Sequence, residues 1–123
     1  MSICNDPSDV KAESKSKKDI IRVTSEPGIC GFCCVVKARK TGQYTVSVKI
    51  EGSACEHAQR LSCLLEEMSL KDLFAPVTRN LVFVSAQRAA CHPSCPIPIA
   101  VLKAAEVAMD MALPREVRIK FQP

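Results

Sequence analysis

Cys33-Cys34-Val35-Val36-Lys37-Ala38-Arg39-Lys40-Thr41-Gly42-Gln43-Tyr44-Thr45-Val46-Ser47-Val48-Lys49-Ile50-Glu51 is the stretch that decides the fold. Over 43–51 apolar and polar residues alternate, with Tyr44, Val46, Val48 and Ile50 on one side and Thr45, Ser47 and Lys49 on the other. A period of two belongs to a half-buried strand, because successive side chains leave the pleat on opposite faces. Residues 29–39 carry Cys30, Phe32, Cys34, Val36 and Ala38 at the same spacing, and Thr41-Gly42 supplies a tight connection between the two runs. Together they read as an antiparallel hairpin.

Upstream, Ile20-Ile21-Arg22-Val23-Thr24 is a short β-like run, followed by a turn at Glu26-Pro27-Gly28. Downstream, Gly52-Ser53 ends the hairpin. Ser53 with Glu56 fits the S-x-x-E capping box and predicts a helix from about Ala54. Ala54, Ala58, Leu61, Leu65 and Met68 recur at helical spacing as its buried stripe. A short helix is expected over 69–74, stopped by Pro76. Residues 78–90 carry both a strand-like Leu81-Val82-Phe83-Val84 and a helix-like Ser85-Ala86-Gln87-Arg88-Ala89-Ala90, and are read as a helix capped by Thr78 or Asn80. Pro98 suits the first turn of a further helix reaching about Met111. After Pro114, Val117, Ile119 and Phe121 alternate with Arg118 and Lys120 as a last strand. The order β-β-β-α-α-α-β implies an α+β domain, a mainly antiparallel sheet with helices packed on one face.

A chain of 123 residues has room for one domain with a real core. Residues 1–19, rich in Ser, Lys and Asp, read as a disordered tail, leaving 20–123 as the domain. No apolar run reaches a membrane span's length, and the N-terminus has no apolar export signal, so a cytoplasmic protein is expected. The net charge of +4 is scattered rather than gathered in a stripe, and one Tyr, no Trp and 4 Phe offer few stacking platforms. Both observations count against nucleic acid as a partner. The expected partner is an unidentified protein or redox partner.

Inside a cell, 8 Cys are better read as ligands or redox groups than as a disulfide framework. The densest group is Cys91-His92-Pro93-Ser94-Cys95-Pro96-Ile97-Pro98. Its C-x-x-x-C-P matches the end of the ferredoxin run, where proline folds the loop around a cluster. Cys30-Gly31-Phe32-Cys33 is a C-x-x-C, the spacing of zinc and iron–sulfur knuckles. A thioredoxin-like pair would need a helix straight after it, and Val35-Val36-Lys37 continues as a strand. Cys55 falls in the first turn of the helix after Ser53, and Cys95 lies just ahead of another, where backbone amides favour a thiolate. Cys30, Cys55, Cys91 and Cys95 are therefore the expected metal ligands, with Cys33 and His92 as further candidates. The group expected is zinc or an iron–sulfur cluster in a structural or electron-carrying role. Two other readings stand beside it: a thiol–disulfide redox or redox-sensing protein, and an interaction module with inert buried cysteines. Cys63, near the apolar stripe, and Cys34 read as packing residues, His57 as a surface or cap residue, and Cys4 as a bystander in the tail.

Gly28-Ile29-Cys30-Gly31, Cys55, Cys91-His92-x-x-Cys95-Pro96-Ile97-Pro98 and Ala112-Leu113-Pro114 stand here in one order. Together they resemble a small, functionally uncharacterised family of single-domain proteins associated with anaerobic microbes, over about 20–121. The resemblance implies the same quartet of thiols and leaves Cys33, Cys34 and Cys63 outside its motif. An anaerobic setting would suit an oxygen-sensitive cluster. The family lends no reaction.

Overall fold

A computed structural model describes residues 20–26, 32–52 and 55–123. Its elements are β1 (Ile20–Ser25), β2 (Cys34–Lys40), β3 (Thr45–Glu51), α1 (Glu56–Leu64), β4 (Glu67–Ser69), α2 (Leu70–Phe74), a 3-10 turn (Val77–Arg79), α3 (Leu81–Arg88) and α4 (Ile97–Ala108). The four strands form one antiparallel sheet in the order β1-β2-β3-β4, and the expected α+β architecture holds.

Register explains the buried face. Ile21 stands opposite Ala38, Val23 opposite Val36, Ala38 opposite Val48, Val36 opposite Ile50 and Val46 opposite Met68. All of these point to the side that the helices cover, and Val36, Ala38 and Val46 are fully buried there. α4 lies across β1, β2 and β3, while α1 packs on β3. Leu61, Leu65, Val82 and Val101 fill the space between the helices and the sheet. The other face is polar. Arg22, Lys37 and Lys49 are lateral neighbours on it, and Glu51 reaches Lys37 at 2.8 Å and Lys49 at 3.5 Å. That carboxylate offsets like charges that would otherwise repel across strands. Its hydrogen bond to Lys37 is the main reason its carboxyl is held below the ordinary carboxylate value.

The β2–β3 connection depends on a close approach. A Cβ at Gly42 would stand 2.7 Å from Thr45 Oγ1, while the Thr41 and Gly42 amides both donate to the Thr45 carbonyl, at 2.9 and 3.4 Å.

Several boundaries differ from the sequence reading. β2 begins at Cys34, and Phe32 is exposed rather than inward; Cys30, Ser53 and Ala54 lie outside the described residues. β3 begins at Thr45, because 41–44 are used in the turn, and Tyr44 is exposed. α1 starts one residue after its N-cap, Cys55, and stops at Leu64 instead of running to Met68. The chain turns at Leu65, and Met68 enters β4 beside Val46. The capping box forms at the next helix instead: the Ser69 hydroxyl accepts from the Asp72 amide and Asp72 accepts from the Ser69 amide. Residues 78–90 resolve as a 3-10 turn followed by α3, with Asn80 as N-cap. The predicted last strand is absent among the described residues: 111–123 hold no regular element, and Val117, Ile119 and Phe121 are exposed.

Candidate functional site

Cys34 is the first inward residue of β2 and is 1% exposed. Cys55 is the N-cap of α1, its carbonyl accepting from the Gln59 amide at 3.1 Å. Cys91 and Cys95 bracket the passage from α3 to α4. Cys55, Cys91 and Cys95 are half-buried and pack against the core.

The 91–95 passage is shaped by local backbone bonds. α3 ends with the Cys91 amide donating to the Ala86 carbonyl at 2.9 Å and the Ala90 amide donating to Gln87 at 3.0 Å. This is a Schellman closure, with Ala90 in the left-handed region at φ 64°. The Cys95 amide then donates to the His92 carbonyl at 3.1 Å. Residues 92–95 thus make a β-turn with Pro93 in its second position, where a fixed φ is favourable. Two consecutive turns bring Cys91 back toward Cys95. Ala90 is exposed and takes a conformation that glycine adopts without strain. Ala90→Gly is expected to raise stability by about 0.5–1 kcal/mol, read as a higher denaturant midpoint at unchanged slope; a lower midpoint would contradict this account of the turn.

Electrostatics shows which thiols share space. Burial pushes the Cys34 thiol up to about 11, and Cys95 and Cys55 push it in the same direction. Cys91 is also raised, first by burial, then by Cys95 and Cys55, against a smaller downward pull from Arg60. Cys55, at the start of α1, and Cys95, in the α3–α4 loop, thus act on both Cys34 and Cys91. Among the described residues, no group of three or more His, Cys, Asp and Glu has the arrangement of a metal site.

Of the expected quartet, Cys55 and Cys95 are near enough to Cys91 to raise its thiol, while Cys30 lies outside the described residues, as does Cys4. Cys34, read from the sequence as core, is buried and also coupled to the group. Cys33 is disulfide-bonded, so its sulfur becomes a metal ligand only on reduction. Cys63 is exposed rather than packed, because it falls off the Ala58–Leu61–Leu65 stripe. The His92 side chain is on the exposed turn.

Arg60 is the neighbour that sequence reading missed. Its guanidinium lies 2.9 Å from His57 Nδ1 and donates to the Ala89 carbonyl at 3.4 Å, and His57 Nδ1 lies 3.0 Å from that carbonyl. Nδ1 either donates to Ala89 or accepts from Arg60, according to tautomer. In both cases the guanidinium sits at the C-terminal end of α3, where cations are favoured. A family model described as "Family of unknown function (DUF6951)" matches residues 21–121. No curated protein and no solved structure matches the chain.

Proposed function

The chain belongs to this family of unknown function, and from that premise we propose that it is a cysteine-thiolate metal-binding protein, holding zinc or an iron–sulfur cluster in a structural or electron-carrying role. The observation that carries the reading is that Cys55 and Cys95 lie close enough to both Cys34 and Cys91 to add to the effect of burial in raising those two thiols. Neighbouring thiols oppose one another's ionisation, and a bound cation reverses that by favouring every thiolate at once. Cys55, Cys91 and Cys95 are the proposed shared ligands, with the fourth sulfur from Cys30 or Cys34. All-thiolate coordination suits zinc and iron–sulfur clusters alike and leaves no open position for hydrolysis. Because the sulfurs do not form a preset cage, an ion would draw them together.

Elemental analysis and an anaerobic absorption spectrum test this directly. Visible absorbance is expected for a cluster, and one colourless equivalent of zinc for a structural ion. Cys55→Ser, Cys91→Ser and Cys95→Ser should each lose bound metal, while Cys4→Ser and Cys63→Ser keep it. Equal retention in all five would reject the assignment. Comparing Cys30→Ser with Cys34→Ser identifies the fourth ligand.

A second reading rests on Arg60, which favours the Cys91 thiolate against its neighbours. In it, Cys91 and Cys95 give two electrons and two protons to an external disulfide and become bonded to each other. Metal-free protein that loses two free thiols under mild oxidant, and regains them with dithiothreitol, would support this reading over the first.

A further inference from the structure

Cys33 is disulfide-bonded. It stands directly before Cys34, the first residue of β2, whose buried thiol lies beside Cys55 and Cys95. The chain has 8 Cys, and Cys34, Cys55, Cys63, Cys91 and Cys95 carry no disulfide. Within the chain, the partner of Cys33 is therefore Cys30 or Cys4, both outside the described residues. Chain geometry separates the two. Cys30 is three residues away, with Gly31 between, and Cys4 is 29 residues away. Cysteines bridge when their Cα atoms stand about 4.4–6.8 Å apart, and a four-residue turn brings its ends within about 7 Å. A longer loop costs more chain entropy to close, so the C-x-x-C pairing is the easier one.

That pairing and a metal ion compete for one sulfur. In the thiolate site proposed above, the fourth ligand is Cys30 or Cys34. Cys34 is 1% exposed and belongs to the core with Val36 and Ala38, so an ion that used it would be drawn into apolar surroundings at a cost. Cys30 offers no thiolate while it is bridged. Cys33 stands at the strand parity opposite to inward Cys34, which suits a locking partner better than a ligand.

We propose that Cys30–Cys33 is a redox-active disulfide that governs metal loading: reduction releases Cys30 to complete a site with Cys55, Cys91 and Cys95, and oxidation withdraws it. The proposal rests on the thiolate reading and adds its regulation. The co-reactant is an external dithiol. One of its thiolates attacks a sulfur of the bridge, breaking the S–S bond and forming a mixed disulfide. Its second thiol then displaces the first from the chain. The reductant leaves as a disulfide, and the chain has gained two electrons and two protons. Zinc afterwards takes the place of the thiol protons. The linkage is reciprocal: whatever factor reduction adds to zinc affinity, zinc adds to the stability of the reduced pair.

The test uses the full chain, stripped of metal, with one portion equilibrated with oxidised glutathione and another with a phosphine reductant, each then freed of reagent. Alkylation and peptide mapping should find a Cys30–Cys33 bridge in the oxidised portion alone. Zinc should bind the reduced portion at least about 100-fold more tightly. Saturating zinc should raise the midpoint potential of the bridge by about 59 mV for that factor. Cys33→Ser should match the reduced wild type after either treatment, and Cys30→Ser should keep the weaker affinity after both. Equal zinc affinity in the two wild-type portions would overturn the inference and leave the thiolate site standing. A bridge mapped to Cys4, or to Cys91 and Cys95, or no bridge at all, would overturn it as well. Zinc bound by neither portion would reject the thiolate reading and the inference together.

Discussion

Asn80→Ala is expected to lower stability by about 3 kcal/mol, and Asn80→Asp by more, about 4 kcal/mol at neutral pH. Few side chains here are tied to as many backbone groups. Asn80 is 3% exposed. Its Nδ2 donates to the carbonyls of Asp72 at 3.1 Å, Leu73 at 3.3 Å and Ala75 at 3.1 Å. Its Oδ1 accepts from the Val82 amide at 3.0 Å. One side chain thus closes the end of α2 and opens α3, with two N–H protons shared among three carbonyls. Alanine removes the cap and leaves buried carbonyls without a donor. Aspartate keeps the Oδ1–Val82 bond, which isolates the other half of the interaction: a carboxylate oxygen now faces three carbonyl oxygens and repels them. Burial among acceptors raises the introduced carboxyl's pKa in the folded state. Its stability deficit therefore narrows as pH falls toward the unfolded carboxyl value near 4 and is fully expressed above the folded value. Urea unfolding at pH 7 and pH 4 reads both effects. An Asn80→Asp protein as stable as wild type at pH 7 would show that the three carbonyl contacts contribute nothing.

What sequence revealed and what it hid follow one division. Local patterns were readable: the alternation of Val46, Val48 and Ile50, the apolar spacing of Ala58, Leu61 and Leu65, the Asn80 cap, and Pro98 in the first turn of α4. Ambiguity arose where one residue satisfied two periods. Met68 sits three residues after Leu65, as a helix stripe requires, and its parity also fits an inward strand position. Pairing with Val46 decided for the strand, and no local signal carries that information. The 117–121 alternation predicted a last strand and the structure overturns it, because a strand needs a neighbour and among the described residues none pairs with this run. The thiol site divides in the same way. Cys91 and Cys95 are close in sequence, and their turn is written in Pro93. Cys34 and Arg60 reach the group only through the packing of β2 and α1 against the α3–α4 loop. Cys34 does have the core role its flanking residues imply; its coupling to Cys55 and Cys95 adds to that role rather than replacing it.

That coupling makes the reduced, metal-free protein sensitive to alkali. The Cys34 thiol is raised from 9.0 to about 11 in the folded chain, by burial first and then by Cys95 and Cys55. Below pH 9 the thiol is protonated in both folded and unfolded states, and its contribution is fully present. As pH rises from 9 toward 11, the unfolded chain releases the proton while the folded chain retains it. The folded state then binds more protons than the unfolded state, and stability must fall. At about 1.4 kcal/mol per pH unit, Cys34 alone accounts for about 3 kcal/mol lost across that window. Cys91, raised from the same causes, acts in the same direction. Other groups titrate in this range, so the informative quantity is the difference between wild type and Cys34→Val, which puts an apolar side chain without a titratable group at the same strand position. Unfolding free energies at pH 8, 9, 10 and 11, with reductant and chelator, should show the variant losing about 3 kcal/mol less than wild type; parallel curves would remove Cys34 from the coupled group. Zinc should invert the dependence if the thiolate site is real. Binding then releases protons that the neighbouring sulfurs would otherwise hold, so affinity climbs with pH over the range in which the metal-free fold weakens.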